Sequence, residues 1–423
     1  MKHAELVSPL YHELCQMACV NSHSHLPPES VRLADIPDAI AFFRHTYPAS
    51  DLRSAGMSEA QMQHVFASGL PLQQRWQTLS RYLPYVRFTG FVQSILIAFK
   101  DLFGIEDLNA DTVDQLSQAV RQESVPGYYR TILKDRCKVV KSVSQMDELI
   151  EVDRELFTPM PRLNRFSMIE RRSQIEDIAA KVDKPVESLP ALVAVIEDVC
   201  TTWREKDIAG VKLSQSYVRR MDFEERSASD AAQVFDAILA GEEISLRSEK
   251  GRILGDFLVF ECCRIASAMG FTIQFHVGLR AGSRHSMEGC SAAPMVNLFR
   301  ACPEARFDLS HSGFPYLHET TVLAKAWPNV YLNMDWIQAV SPEASRRALA
   351  EWLRAVPYNK IIAYGDDVEH VEVAYGALVI ARQNVAAVLA DMIADTNLTE
   401  GQALDIARTV FLDTPAALYG VGA

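Results

Sequence analysis

The chain has 423 residues, of which 48% are hydrophobic and 23% charged, so a sizeable core is possible and wholesale disorder is excluded. Its 42 Lys and Arg against 54 Asp and Glu give a net charge of −12. That excludes a broad nucleic-acid or anionic-membrane face but leaves room for a local basic pocket.

The N-terminal stretch MKHAELVSPLYHELCQMACV lacks a basic segment followed by a continuous apolar one, so no signal peptide is expected. The apolar run FVQSILIAF (91–99) is far below the roughly 20 residues that span a bilayer. Eight cysteines include no CxxC pair, which predicts a reduced, cytoplasmic protein.

Along the chain a short apolar run ending in polar residues recurs, each followed by a helical pattern. The runs are 17–21, 138–143, 155–160, 209–213, 272–276, 306–311, 330–334 and 361–365. Helical spacing appears between them at 173–182, 191–205, 251–269, 318–327 and 343–355. Eight buried strands alternating with helices predict a closed α/β architecture, the (β/α)8 TIM barrel. An open doubly wound sheet is the alternative, but no GxGxxG follows the first run. The barrel is assigned to 1–25 and 137–423. Between them, 26–136 reads as a helical insertion after the first strand, with helices around 35–46, 58–67, 71–82, 90–103 and 111–122. Leaving a strand end on the catalytic face, it is expected to cap the barrel mouth. Further helices are expected at 371–394 and 399–412.

Four histidines fall where such a barrel places its chemistry. His23 and His25 (VNSHSH) follow the first run, His276 (TIQFHVG) ends the fifth and His311 (DLSHSG) ends the sixth. Residues two apart in extended chain point the same way, so His23 and His25 can reach one ion. The eighth run ends in Gly365-Asp366-Asp367, which supplies carboxylate. A lone His-x-His is weak, but the four strand ends together favour a divalent-metal site over hydrogen-bonded structural histidines. Imidazole with carboxylate suits Zn first, with Mn, Fe or Ni also compatible, as one ion or two. Arginines also gather at strand ends: Arg162 and Arg165, Arg219 and Arg220, Arg280 and Arg284. Their planar forks suit a carboxylate-bearing small molecule, with Arg165, Arg219 and Arg280 the candidate contacts and Tyr217 a possible hydrogen-bond donor.

The segments IAGVKLSQSYVRR, IQFHVGLRAG, FDLSHSGFPYLHETTVLAKAWPNVYLN and IIAYGDDVEHVEVAYGALVIARQNVAAVL, with the closing TPAALYGV, resemble the amidohydrolase superfamily. The segment YLPYVRFTGFVQSILIAFKDLFGIEDLNADT resembles the insertion of its uronate isomerase branch. The resemblance implies that His23, His25, His276 and an aspartate after the eighth strand are metal ligands. The superfamily's Gly-x-Asp pattern selects Asp367 as ligand and general base, with His311 as its catalytic companion. It also makes Lys212 (GVKLS) a candidate carboxylated bridge between two ions, although uronate isomerases lack such a lysine. Hydrolysis of an amide, lactone or related C–N or C–O bond is the expected reaction. A uronate-type aldose–ketose isomerisation, a non-oxidative decarboxylation and a binding scaffold without chemistry are the alternatives. Barrels of this kind commonly self-associate, so a homo-oligomer is expected, without nucleic-acid or membrane partners.

Overall fold

The computed structural model describes residues 3–422. Its strands are β1 (Cys19–Ser24), β2 (Val139–Met146), β3 (Phe157–Pro161), β4 (Gly210–Leu213), β5 (Thr272–His276), β6 (Arg306–Ser310), β7 (Val330–Asn333) and β8 (Ile361–Ile362). β1–β3 pair in parallel, and so do β4–β8, each strand beside its neighbour in sequence. The two sets close on each other at both edges. Ala209 N donates to Pro159 O at 2.8 Å and Leu163 N to Lys212 O at 3.0 Å, joining β3 to β4. Ser22 N donates to Tyr364 O at 3.1 Å and His25 N to Val368 O at 3.2 Å, joining β8 to β1. The result is an eight-stranded parallel barrel with helices in the crossovers, as the run-and-helix alternation predicts.

Every predicted run becomes a strand, with edges moved by a few residues. β8 is the shortest because the chain leaves it for the turn that carries Asp367.

The insertion is helical, but not over 35–46. Pro37 and Asp38 interrupt the pattern there: Asp38 Oδ1 accepts from Ile40 N at 3.0 Å and Ala41 N at 3.1 Å, a turn that competes with helix. The chain instead forms helices Glu29–Ala34 and Thr46–Ser54 on either side of a 3-10 turn, Ala41–Arg44. The helix expected at 90–103 forms as Gly90–Phe103.

That helix packs backbone to backbone on the barrel helix Val371–Asp395. A Cβ on Gly376 would fall 1.9 Å from Ser94 O, and one on Gly90 would fall 1.7 Å from Ala339 O. Only glycine permits this approach. Gly376→Ala is therefore expected to push the two helices apart and lower stability by about 1–3 kcal/mol, read as a shifted midpoint in chemical denaturation. The buried ion pair of Arg32 with Glu372 ties the same two regions together.

Val371–Asp395 is also the one helix among the described residues long and apolar enough to cross a membrane. It is 72% buried over its most apolar window, packed against His3–Gln16, Gly90–Phe103 and Pro342–Ala355. Packing as a core helix accounts for its composition.

Candidate metal centre

The carboxyl ends of the strands carry unusual backbone. His311, Trp336 and Asp367, just beyond β6, β7 and β8, have φ of +68°, +60° and +49°. Each left-handed non-glycine residue costs about 1–3 kcal/mol and persists only where its surroundings over-determine it. Here hydrogen bonds between strand ends supply that constraint: Asp366 N and Asp367 N both donate to His23 O at 3.0 Å, and Trp336 N donates to Gly365 O at 2.8 Å.

These turns bring residues 23, 25 and 367 together. Asp367 Oδ1 lies 3.2 Å from His23 Nε2 and 3.1 Å from His25 Nε2, and the two imidazole nitrogens are 3.3 Å apart. Asp366 points away, its Oδ2 accepting from Asn21 Nδ2 at 2.6 Å and Ser24 Oγ at 3.3 Å.

The tautomer of His23 follows from its neighbours. Gln274 Nε2 donates to Asp308 Oδ2 at 2.6 Å, which fixes the amide and turns Oε1 toward three donors. Those are Lys212 Nζ at 2.9 Å, Gln145 Nε2 at 3.0 Å and His23 Nδ1 at 2.8 Å. His23 thus carries its proton on Nδ1 and offers a lone pair from Nε2, the form a metal ligand needs.

Charge points the same way. Burial, aided by the Lys212 ammonium, pulls the His23 imidazole down to about 4, so it is neutral at pH 7. Burial alone would raise Asp367, but His23 and His25 more than offset it and hold the carboxyl well below its usual range. Two imidazoles and one carboxylate, with donor atoms within 4.8 Å of one another, fit a divalent cation.

A second group stands beside the first. Asp335, beyond β7, accepts from the His311 backbone N–H and lies 3.3 Å from His311 Nδ1 and 3.4 Å from His23 Nδ1. Burial raises its carboxyl, yet His311, His23 and Lys212 together bring it down to about 2. Asp335 thereby holds the His311 backbone and sets its carboxylate close to both imidazoles.

His23, His25, Lys212, Tyr217, His276, His311 and Asp367 line one cavity of about 330 Å³, together with Arg162. His276 faces this space but stands outside the trio, because its Nε2 donates to Leu279 O at 3.1 Å; its ring packs 4.3 Å from His311. Lys212 Nζ donates to Gln274 Oε1 and Ser310 Oγ, both at 2.9 Å, and burial pulls its ammonium down to about 8. Tyr217 OH accepts from Ala281 N at 2.9 Å instead of pointing freely into the cavity.

Three of the expected arginine contacts need correction. Arg219 turns away to pair with Asp256 at 2.5 Å, its guanidinium over the ring of Phe223. Arg280 donates to Glu288 O at 3.0 Å and lines a different cavity. Arg165 is taken up by Asp147 O at 2.8 Å. In each case a nearby acceptor captures the guanidinium, Asp256 of helix Glu249–Ala268 for Arg219 and loop carbonyls for the other two; Arg162, rather than Arg165, reaches the candidate metal cavity.

Sequence reasoning passes over Asp335, Gln274 and Asp308, and also Tyr47, an insertion residue whose ring lies 5.0 Å from that of Trp336. Asp308 sits in the barrel interior, where its Oδ2 accepts from Gln274, Asn333 and Tyr419 while Oδ1 has no partner. Burial raises it from 3.8 to about 6. Between about pH 4 and 6 the folded chain holds a proton that the unfolded chain has released, so this group's contribution falls as pH rises, by about 3 kcal/mol in all. Asp308→Asn is expected to remove that slope. Its stability relative to the parent should be higher at pH 7 than at pH 4.5 in paired denaturation curves.

Residues 214–421 match the Amidohydro_2 (Amidohydrolase) family model. The chain is 24% identical over 330 residues to protein FluG of Emericella nidulans, an alignment spanning 71% of this chain and 38% of that protein. Its fold resembles a uronate isomerase of Thermotoga maritima, with TM-score 0.83 and 15% identity, over 98% of this chain and 97% of the other. A glucuronate isomerase of Caulobacter crescentus gives TM-score 0.83 and 16% identity over 100% and 95%. The C-terminal part of the chain thus carries the amidohydrolase family pattern, on a fold like that of these isomerases.

Proposed function

We propose that the protein is a metal-dependent hydrolase that cleaves an amide, lactone or related C–N or C–O bond of a small carboxylate-bearing substrate. The observation that carries this reading is the single carboxylate oxygen of Asp367 within 3.2 Å of two imidazole nitrogens at the floor of a cavity of about 330 Å³. His23, His25 and Asp367 would hold one divalent ion, zinc being our first choice. When bound, such an ion supplies Lewis acidity and makes water acidic enough to react near neutral pH. Asp367, ionised throughout the neutral range, takes the proton of the attacking water and returns it to the leaving nitrogen or oxygen. His311, braced by Asp335, polarises the scissile carbonyl. The insertion, which brings Tyr47 beside Trp336, caps the mouth and excludes bulk water.

Arg162 is the guanidinium lining this cavity; its Nη1 pairs with Asp147 Oδ1 at 2.9 Å, while its buried Nε has no partner. It binds the substrate carboxylate. Arg162→Ala is expected to raise KM about tenfold or more while kcat changes much less, in steady-state kinetics on the first substrate found.

The test is oxygen-18 incorporation from labelled water during turnover of an amide and lactone panel by zinc-loaded protein. Label in the product acid supports hydrolysis. A second reading, aldose–ketose isomerisation of a uronate, is favoured by the likeness to uronate isomerases over 98% of the chain, insertion included. Ketose formed from glucuronate or galacturonate, with no hydrolysis across the panel, would replace the first reading by the second. We place the enzyme in the cytoplasm, in keeping with its eight free cysteines, as a homo-oligomer acting on small molecules.

A further inference from the structure

A second cavity, of about 280 Å³, opens beside the metal cavity and is lined by Arg219, Arg220, Arg247, Arg252 and Arg280 with Glu288. Five guanidiniums around one concavity are unexpected in a chain of net charge −12. Their carboxylate partners are too few. Asp256 pairs with Arg219 at 2.5 Å, and Asp222 lies 3.3 Å from Arg252 and 3.6 Å from Arg220, which Glu288 also approaches at 3.6 Å. Arg247 and Arg280 have no carboxylate within ion-pairing distance among the described residues. Arg247 Nε donates to Val218 O at 2.9 Å, and Arg280 Nη2 donates to Glu288 O at 3.0 Å. Backbone carbonyls orient these two groups but leave both positive charges uncompensated. Nε of Arg252 and Nε of Arg280 are in addition buried without hydrogen-bond partners.

Fixed, uncompensated guanidiniums facing a concave space are how proteins recognise tetrahedral oxyanions. We propose that this cavity is an anion site that takes the phosphate group of a small phosphorylated molecule, with Arg247 and Arg280 as its principal charges. The apolar side chains of Val218 and Leu246, on the same wall, receive the organic remainder. This site is separate from the metal centre and does not rest on the reaction proposed above. The two share a wall: Tyr217 and Ala281, joined by the Ala281 N to Tyr217 OH bond, face the metal cavity, while their neighbours Val218 and Arg280 face the arginines.

The test is isothermal titration of the full chain with inorganic phosphate, against sodium chloride of equal ionic strength. One saturable site is expected in the parent protein. Affinity should fall at least tenfold in the Arg247→Gln/Arg280→Gln double variant and at least threefold in Arg247→Gln alone, whose exposed side chain leaves folding intact. It should persist unchanged in His25→Ala, which disables the metal trio. Absence of saturable phosphate binding in the parent protein overturns the proposal, as does parent-like affinity in the correctly folded Arg247→Gln variant. Loss of binding in His25→Ala overturns it too, since the phosphate would then be sitting in the metal cavity.

Discussion

Replacing Asp367 by Asn is expected to strip the protein of its divalent ion and to cost about a thousandfold or more in turnover. The amide keeps the shape of the carboxylate but not its charge, and two imidazoles alone hold a dication weakly. Loss of the general base we propose Asp367 to be adds about 10²–10⁴-fold on its own. Metal content per chain and initial rate should fall together, with far-UV circular dichroism unchanged. The adjacent Asp366→Asn is the matched comparison. Burial pushes the Asp366 carboxyl up to about 8, and its Oδ2 is committed to Asn21 and Ser24. That variant is expected to keep its metal. A reversal, with Asp366→Asn losing the ion and Asp367→Asn retaining it, would show that the turn after β8 presents the other carboxylate.

The barrel was legible because buried parallel strands have a local signature, apolar runs cut short by polar ends, that survives even when edges shift. The paired histidines and Asp367 were legible for the same reason: they sit on or just past those ends. The companions of the trio obey the same alternation. Asn21, His23 and His25 alternate, as do Gln274 and His276, Asp308 and Ser310, and Asn333 and Asp335. Polar residues two apart in strands buried on both faces mark the side that points into the barrel. Lys212 belongs to this interior set, which explains its contacts with Gln274 and Ser310. The arginines were not legible. A long side chain leaving a loop goes to whichever acceptor folding brings near, and Asp256 lies 37 residues from Arg219. Strand position confines a short side chain, whereas it barely constrains a guanidinium at the end of four rotatable bonds.

Gly365→Ala is expected to do nearly as much damage as loss of a ligand, although it removes no functional group. The φ of Gly365 is not in the left-handed region, so the requirement for glycine is one of space. An added Cβ would lie 2.4 Å from Asp335 Cβ, 2.8 Å from Ser22 Oγ and 3.1 Å from His23 Cβ. None of these atoms is the far end of a flexible chain. Asp335 is held by His311 and Ser310, Ser22 Oγ donates to Tyr364 O at 2.7 Å, and His23 is anchored within β1. Relief therefore requires moving strand ends, and the atoms that must move carry or orient the metal trio. Overpacking of this kind costs about 1–3 kcal/mol, and disturbance of the groups that orient metal ligands costs about 10–100-fold in affinity. Zinc titration against a competing chelator and denaturation midpoints should both register the change. Gly401→Ala is the control: it sits in helix Glu400–Arg408 with nothing within 4 Å of where the alanine methyl would lie, so the substitution there should be neutral or mildly stabilising. If Gly365→Ala held zinc as tightly as the parent protein, the strand ends would have to yield without disturbing the imidazoles. The rigidity assigned to the metal centre would then be wrong.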